Sequence, residues 1–138
     1  MIGEASWFLH PQLAADTVSI GDLPLSRVLV MKDANYPWLI LVPRRAGTAE
    51  IIDLNEADRA QLMDEMARAS AALKKVTACD KLNIAMLGNI VPQLHVHIVA
   101  RRKDDDAWPA PVWGKPPRAY GDAQLKQFLA AISGKLSL

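Results

Sequence analysis

A single cysteine in 138 residues excludes an internal disulfide, so Cys79 is expected to be a free thiol. Excess charge of one sign is also missing. Sixteen lysines and arginines against 15 aspartates and glutamates leave a net charge of +1, so no basic surface is expected for a long polyanion. Nucleic acid is therefore not an expected partner, and any phosphate has to be met by a local site. No uninterrupted apolar stretch approaches the ~20 residues that a membrane-spanning helix needs. The first residues lack a charged start followed by a long apolar run and a small-residue cleavage site, which gives the expectation of a cytoplasmic protein. There is no internal repeat and no low-complexity tail. A chain that is 51% hydrophobic and 22% charged at this length fits one domain over residues 1–138.

Histidine is scarce too, with three in the chain, yet two of them share the stretch Pro92-Gln93-Leu94-His95-Val96-His97-Ile98-Val99-Ala100-Arg101. Strand periodicity would set Gln93, His95 and His97 on one face and Leu94, Val96 and Ile98 on the other. Two imidazoles so placed can act on one small ligand, and imidazole is the side chain whose ordinary pKa lies nearest neutrality. His-x-His on a strand also occurs as a metal pair. A third ligand of the usual kind is not in view, because Cys79 and His10 are distant in sequence, so neither a metal nor a cofactor is expected.

Taken in order, Trp7-Phe8-Leu9-His10-Pro11 reads as a short strand or edge segment, with His10 a surface or structural histidine. Thr17–Ile20, Arg27–Met31 and Trp38–Val42 read as an antiparallel meander. Trp38–Val42 is apolar on both faces and so should be covered on both. Asp33 and Asn35 fall in a turn, and Arg44-Arg45 read as solvated charges at a strand exit. Asn55 caps a helix running to about Val76, with Leu62, Met66, Ala69, Leu73 and Val76 forming its apolar stripe. Met63 and Met66 are both expected in the core.

Lys81–Leu87 reads as a strand, and Gly88-Asn89 as the turn of a hairpin leading into the histidine strand. Arg101-Arg102-Lys103-Asp104-Asp105-Asp106 reads as a solvated loop. The segment from Trp108 to Pro117 is stiffened by proline, and its tryptophans are expected to fill a dimer groove or seal the core. A short helix capped by Asp122 closes the chain.

The run Gln93-Leu94-His95-Val96-His97-Ile98-Val99 resembles the signature of the histidine triad (HIT) superfamily, with glutamine in place of the first histidine. The resemblance extends over about residues 13–103 through the hairpin ending in Leu41-Val42-Pro43, the capped helix and the following strand. It leaves a Pro/Trp-rich segment and helix over 104–138. It implies an α+β domain with about five antiparallel strands, the long helix on one face and a short C-terminal helix. It also implies a nucleotide hydrolase or transferase that acts at an α-phosphorus of a nucleoside phosphoramidate or dinucleoside polyphosphate.

By resemblance His95 is the nucleophile that takes up a nucleotidyl group, and His97 is a hydrogen-bond or proton donor. Gln93 would orient the phosphate, Asn89 would donate to it, and Asp33 would hold the ribose. Val91-Pro92 stands where relatives carry a serine or threonine that contacts the phosphate. Relatives commonly pair as homodimers through the long helix and the adjacent strand, which would also account for the doubly apolar Trp38–Val42. The alternative is a nucleotide-binding module whose catalysis is impaired by Gln93, since an amide carries no proton.

Overall fold

The computed structural model describes residues 6–138. Five antiparallel strands form one sheet: β1 (Thr17–Asp22), β2 (Ser26–Met31), β3 (Trp38–Pro43), β4 (Lys81–Ala85) and β5 (Val96–Arg101), in the order β1-β2-β3-β5-β4. A short helix, α1 (Pro11–Asp16), precedes β1; α2 (Glu56–Thr77) crosses between β3 and β4; α3 (Asp122–Leu136) ends the fold. This is the expected α+β architecture. The register sets Ile40 beside His97 and Leu41 beside Val96, so β3 carries the central histidine strand on its flank.

One face of the sheet presents Val28, Val30, Leu39, Leu41, Val96 and Ile98 to the two long helices. Asn55 starts α2 because its side-chain oxygen accepts the Asp58 N–H at 2.8 Å, and Glu56 and Asp58 meet the positive end of the helix. Leu62, Met66, Ala69 and Leu73 then fall at helical spacing against the sheet. Complete burial of a leucine such as Leu62 or Leu73 contributes about 2 kcal/mol. Glu65, fully buried in the same helix, accepts the backbone N–H groups of Leu25 and Ser26 and the Gln61 amide, which stitches α2 to the start of β2. Met63 does not join this core. It is 61% exposed, because it lies one step round the helix from the stripe.

The opposite face carries Leu29, Trp38, Ile40, Val42 and Val99, covered by Trp7, Leu9, Leu13, Val91, Ala107 and Val112. The doubly apolar β3 is thus explained within one chain: it is central in the sheet and roofed on both sides, so its burial requires no partner. The roof hangs on Arg101. Its guanidinium is buried and pairs with both oxygens of Asp105 at 2.7 and 2.9 Å. It also donates to Asn83 and to the Ala110 carbonyl, and stacks over Tyr36 and Trp108. Arg101 and Asp105 are therefore not the solvated charges that their run suggests; they anchor residues 105–113 onto the sheet.

Other expectations also change. Pro11–Asp16 is helical, with the His10 ring nitrogen accepting the Gln12 N–H as its cap. β4 and β5 are joined by the long connection 86–95, not by a tight Gly-Asn turn, and β5 begins only at Val96, so Gln93 and His95 precede the ladder. Arg44 is half-buried, its guanidinium donating to the carbonyls of Leu23 and Pro24, while the exposed Arg45 pairs with Asp58. Gly121 caps α3, and Asp122 occupies its first turn.

Candidate active site

His95 and His97 are brought together as the alternation requires, with ring centroids 4.8 Å apart and both rings buried. Each has one ring nitrogen committed, and the two commitments are opposite. His95 Nδ1 lies 2.6 Å from the Gln93 carbonyl oxygen. A carbonyl can only accept, so Nδ1 carries a proton, and in the neutral ring the lone pair is on Nε2. His97 Nδ1 lies 3.0 Å from the Trp38 indole nitrogen, which can only donate. His97 Nδ1 therefore accepts, and its proton sits on Nε2. The pair combines a nucleophilic nitrogen with a fixed N–H donor.

Electrostatics hold that division. Burial, and secondarily the neighbouring His95, lower the His97 pKa from 6.5 to about 4. The indole N–H acts in the same direction, since a proton on Nδ1 would face another donor. His97 is therefore neutral at pH 7, with its Nε2–H able to donate a hydrogen bond.

Around the pair lie two concavities. One, of about 210 Å³, is lined by Ala49, Ile51, Met86, Gly88, Gln93 and His95 among others. The other, of about 380 Å³, is bounded by Met31, Lys32, Asp33, Trp38 and Trp113. They flank the histidines, because Trp113 packs edge-on against both His97, at 5.1 Å, and Trp38, at 5.7 Å. Asp33 is buried in the second, with Oδ1 accepting the backbone N–H groups of Asn35 and Arg118. A larger cavity of about 630 Å³, around Trp7, Arg44 and Asn55, contains neither histidine.

The other expected site residues fall differently. The Gln93 carboxamide is turned to the N-terminal segment, accepting the His10 N–H at 2.9 Å and donating to the Phe8 carbonyl at 2.8 Å. The His10 backbone is thereby drawn beside the site, while its ring caps α1. Asn89 is exposed in the 86–95 connection and does not line the His95 cavity, although its neighbour Gly88 does. Among the described residues no cluster of three histidine, cysteine or acidic side chains is placed to hold a metal.

Trp38 was not among the expected site residues, and Trp113 was expected to fill a dimer groove or seal the core rather than to wall the site. The signal for Trp38 was available: a buried indole N–H needs an acceptor, and His97 sits on the adjacent strand, two residues along from Val99, the direct partner of Trp38.

A family model of the HIT domain matches residues 12–104. Solved structures of three histidine triad proteins resemble the chain along almost its whole length. The protein from Bradyrhizobium japonicum is 61% identical, with a TM-score of 0.94 over 95% of this chain and 98% of its own. That from Sinorhizobium meliloti 1021 is 42% identical, with a TM-score of 0.92 over 96% and 99%. That from Marinobacter aquaeolei VT8 is 41% identical, with a TM-score of 0.93 over 96% and 98%. Among curated proteins, none matches.

Proposed function

The chain belongs to the HIT family, whose members bind nucleotides and are generally nucleotide hydrolases or transferases, and on that premise we propose that it cleaves nucleotides at the α-phosphorus through a nucleotidyl-His95 intermediate. The observation that carries this reading is the 2.6 Å contact from His95 Nδ1 to the Gln93 carbonyl, which leaves the Nε2 lone pair available for attack. The substrate class is a nucleoside phosphoramidate or a dinucleoside polyphosphate.

In the first step the Nε2–P bond forms while the bond from phosphorus to the leaving nitrogen or oxygen breaks, and the leaving group takes that electron pair and a proton from solvent. Positive charge on the imidazole is stabilised by Nδ1–H donating to Gln93 O. In the second step water attacks phosphorus, the P–N bond breaks, and a nucleoside monophosphate leaves while the surplus proton passes to solvent. His97 Nε2–H donates to a phosphate oxygen whose charge grows in both steps. The cavity walled by Trp38 and Trp113 takes the nucleoside, and Asp33, with both backbone donors on Oδ1, offers Oδ2 to ribose hydroxyls. We leave Asn89 out of the reaction.

The binding-module reading rests on Gln93 being unable to carry a proton. Its carboxamide is engaged by Phe8 and His10, so its identity does not bear on proton movement at phosphorus, and that favours the catalytic reading.

We further propose a homodimer through the outer edge of the sheet, where Ile84 of β4 and Met86, Leu87 and Ile90 of the connection after it are exposed, together with α2, where Met63 is exposed. No helix among the described residues is long and apolar enough to cross a membrane, and with its free, buried Cys79 we place the protein in the cytoplasm.

The test is metal-free turnover of adenosine phosphoramidate and diadenosine tetraphosphate. His95→Ala should lower kcat by at least about a thousandfold. Calorimetric binding of nucleotide by the wild type without turnover would instead make it a binding module.

A further inference from the structure

The peptide joining Gln93 to Leu94 decides which nitrogen of His95 is nucleophilic, yet it lies outside the sheet ladder, which begins at Val96. Something else must aim its carbonyl. Two groups of contacts do so. On the other side of the same peptide, the Leu94 N–H donates to the Thr48 carbonyl at 2.9 Å. The Gln93 side chain is gripped at both ends by the backbone of the N-terminal segment, through His10 N–H and Phe8 C=O.

We propose that this segment and Gln93 form a brace that sets the tautomer of His95, with Gln93 a positioning residue acting through its own backbone carbonyl. The inference rests on His95 being the nucleophile. It assigns a role in that chemistry to residues 8–10, which precede the stretch matched by the family model.

The chemistry of the side chain fits this task. Phe8 C=O and His10 N–H are an acceptor and a donor two residues apart, and a primary carboxamide offers the complementary donor and acceptor side by side. The two nitrogens of an imidazole diverge around the ring and do not match such a pair. Glutamine here is thus suited to holding the main chain in place, not a defective copy of a catalytic histidine. His10 itself is held, because its ring caps α1 through Gln12 N–H, and α1 packs by Leu13 into the roof of the sheet. The brace is therefore tied to the fold at its far end.

Without it, only the Leu94 N–H to Thr48 contact holds the peptide, the Gln93 carbonyl swings more readily from His95 Nδ1, and a proton settling on Nε2 removes the attacking lone pair.

The experiment reads the tautomer directly, in the resting protein, by two-bond 1H–15N correlation of the histidine rings, and in parallel reads kcat and KM. The wild type should show His95 protonated on Nδ1 alone. Gln93→Met keeps the length and removes both side-chain hydrogen bonds; it should populate the Nε2–H form and lower kcat by about two- to tenfold, the worth of one or two hydrogen bonds, with KM within about twofold. His10→Pro isolates the backbone donor, since His10 has φ −55°, a value that proline adopts, and its reference is His10→Ala, which loses the ring but keeps the N–H. The proline variant should show more Nε2–H tautomer than the alanine variant.

If Gln93→Met retains the wild-type tautomer, or if His10→Pro and His10→Ala are alike, the brace is wrong. Should Gln93→Met fail to fold, the His10 pair alone decides. Because the tautomer is read without substrate, absent turnover in the wild type would count against the proposed reaction and leave the brace to be judged by the spectra.

Discussion

Replacing Trp38 by phenylalanine keeps an aromatic ring against Ile40 and Trp113 but removes the N–H that His97 Nδ1 accepts at 3.0 Å. The wild-type His97 pKa of about 4 reflects burial first and His95 second, to which the indole adds a donor that opposes any proton on Nδ1. A hydrogen bond of this kind is worth about 1 kcal/mol, and one pKa unit is 1.36 kcal/mol, so the variant should raise the His97 pKa by about one unit. It should not return to 6.5, because burial and His95 persist. Loss of the pyrrole portion from a side chain only 4% exposed should also cost about 1–3 kcal/mol of stability. The assay is an NMR titration of the His97 ring in wild type and variant, paired with urea unfolding. A wild-type midpoint near 6.5, or an unchanged midpoint in Trp38→Phe, would refute the reasoning that His97 is a neutral, oriented donor.

Acid should weaken the fold through the same residue. The folded His97 pKa lies below the unfolded value of 6.5, so the unfolded chain binds the proton first; stability is fully present above about 6.5 and falls as pH drops towards 4, by about 3 kcal/mol for this group. Urea midpoints across pH 7 to 4 check this, and His97→Asn should flatten the acid limb. Asp105→Ala leaves the buried Arg101 guanidinium without its carboxylate and should cost about 3–5 kcal/mol, with Trp108 becoming more accessible to a fluorescence quencher. For the proposed homodimer, Ile84→Lys at the outer edge of the sheet should shift sedimentation from dimer to monomer without unfolding the protein.

The sheet and the long helix were legible because their signals are local. Alternation in Thr17–Met31, the Asn55 cap and the Leu62–Leu73 stripe each depend on residues within a turn or two of one another. The proximity of His95 and His97 followed from strand period alone. What was not legible depends on contacts distant in sequence. Gln93 meets Phe8 and His10 across 85 and 83 residues, and nothing nearby signals that the carboxamide faces away from the phosphate. Arg101 and Asp105 looked solvated because they stand in a run of charges, whereas a guanidinium with three acceptors and two aromatic faces can be buried. The double burial of β3 was read correctly, but its second cover proved to be the N-terminal segment and residues 107–112, not a partner. Trp113 does not seal that roof as expected: it is 37% exposed, and it packs edge-on against His97 and Trp38 as a wall of the candidate site.

The central claim is that His95 Nε2 attacks phosphorus. Wild type mixed with adenosine phosphoramidate in the absence of metal, quenched in alkali within the first turnover and digested for mass spectrometry, should yield an adenylyl group on the peptide carrying His95, and none in His95→Ala. An active protein with no adduct at any quench time, or with the adduct on His97, would contradict the account.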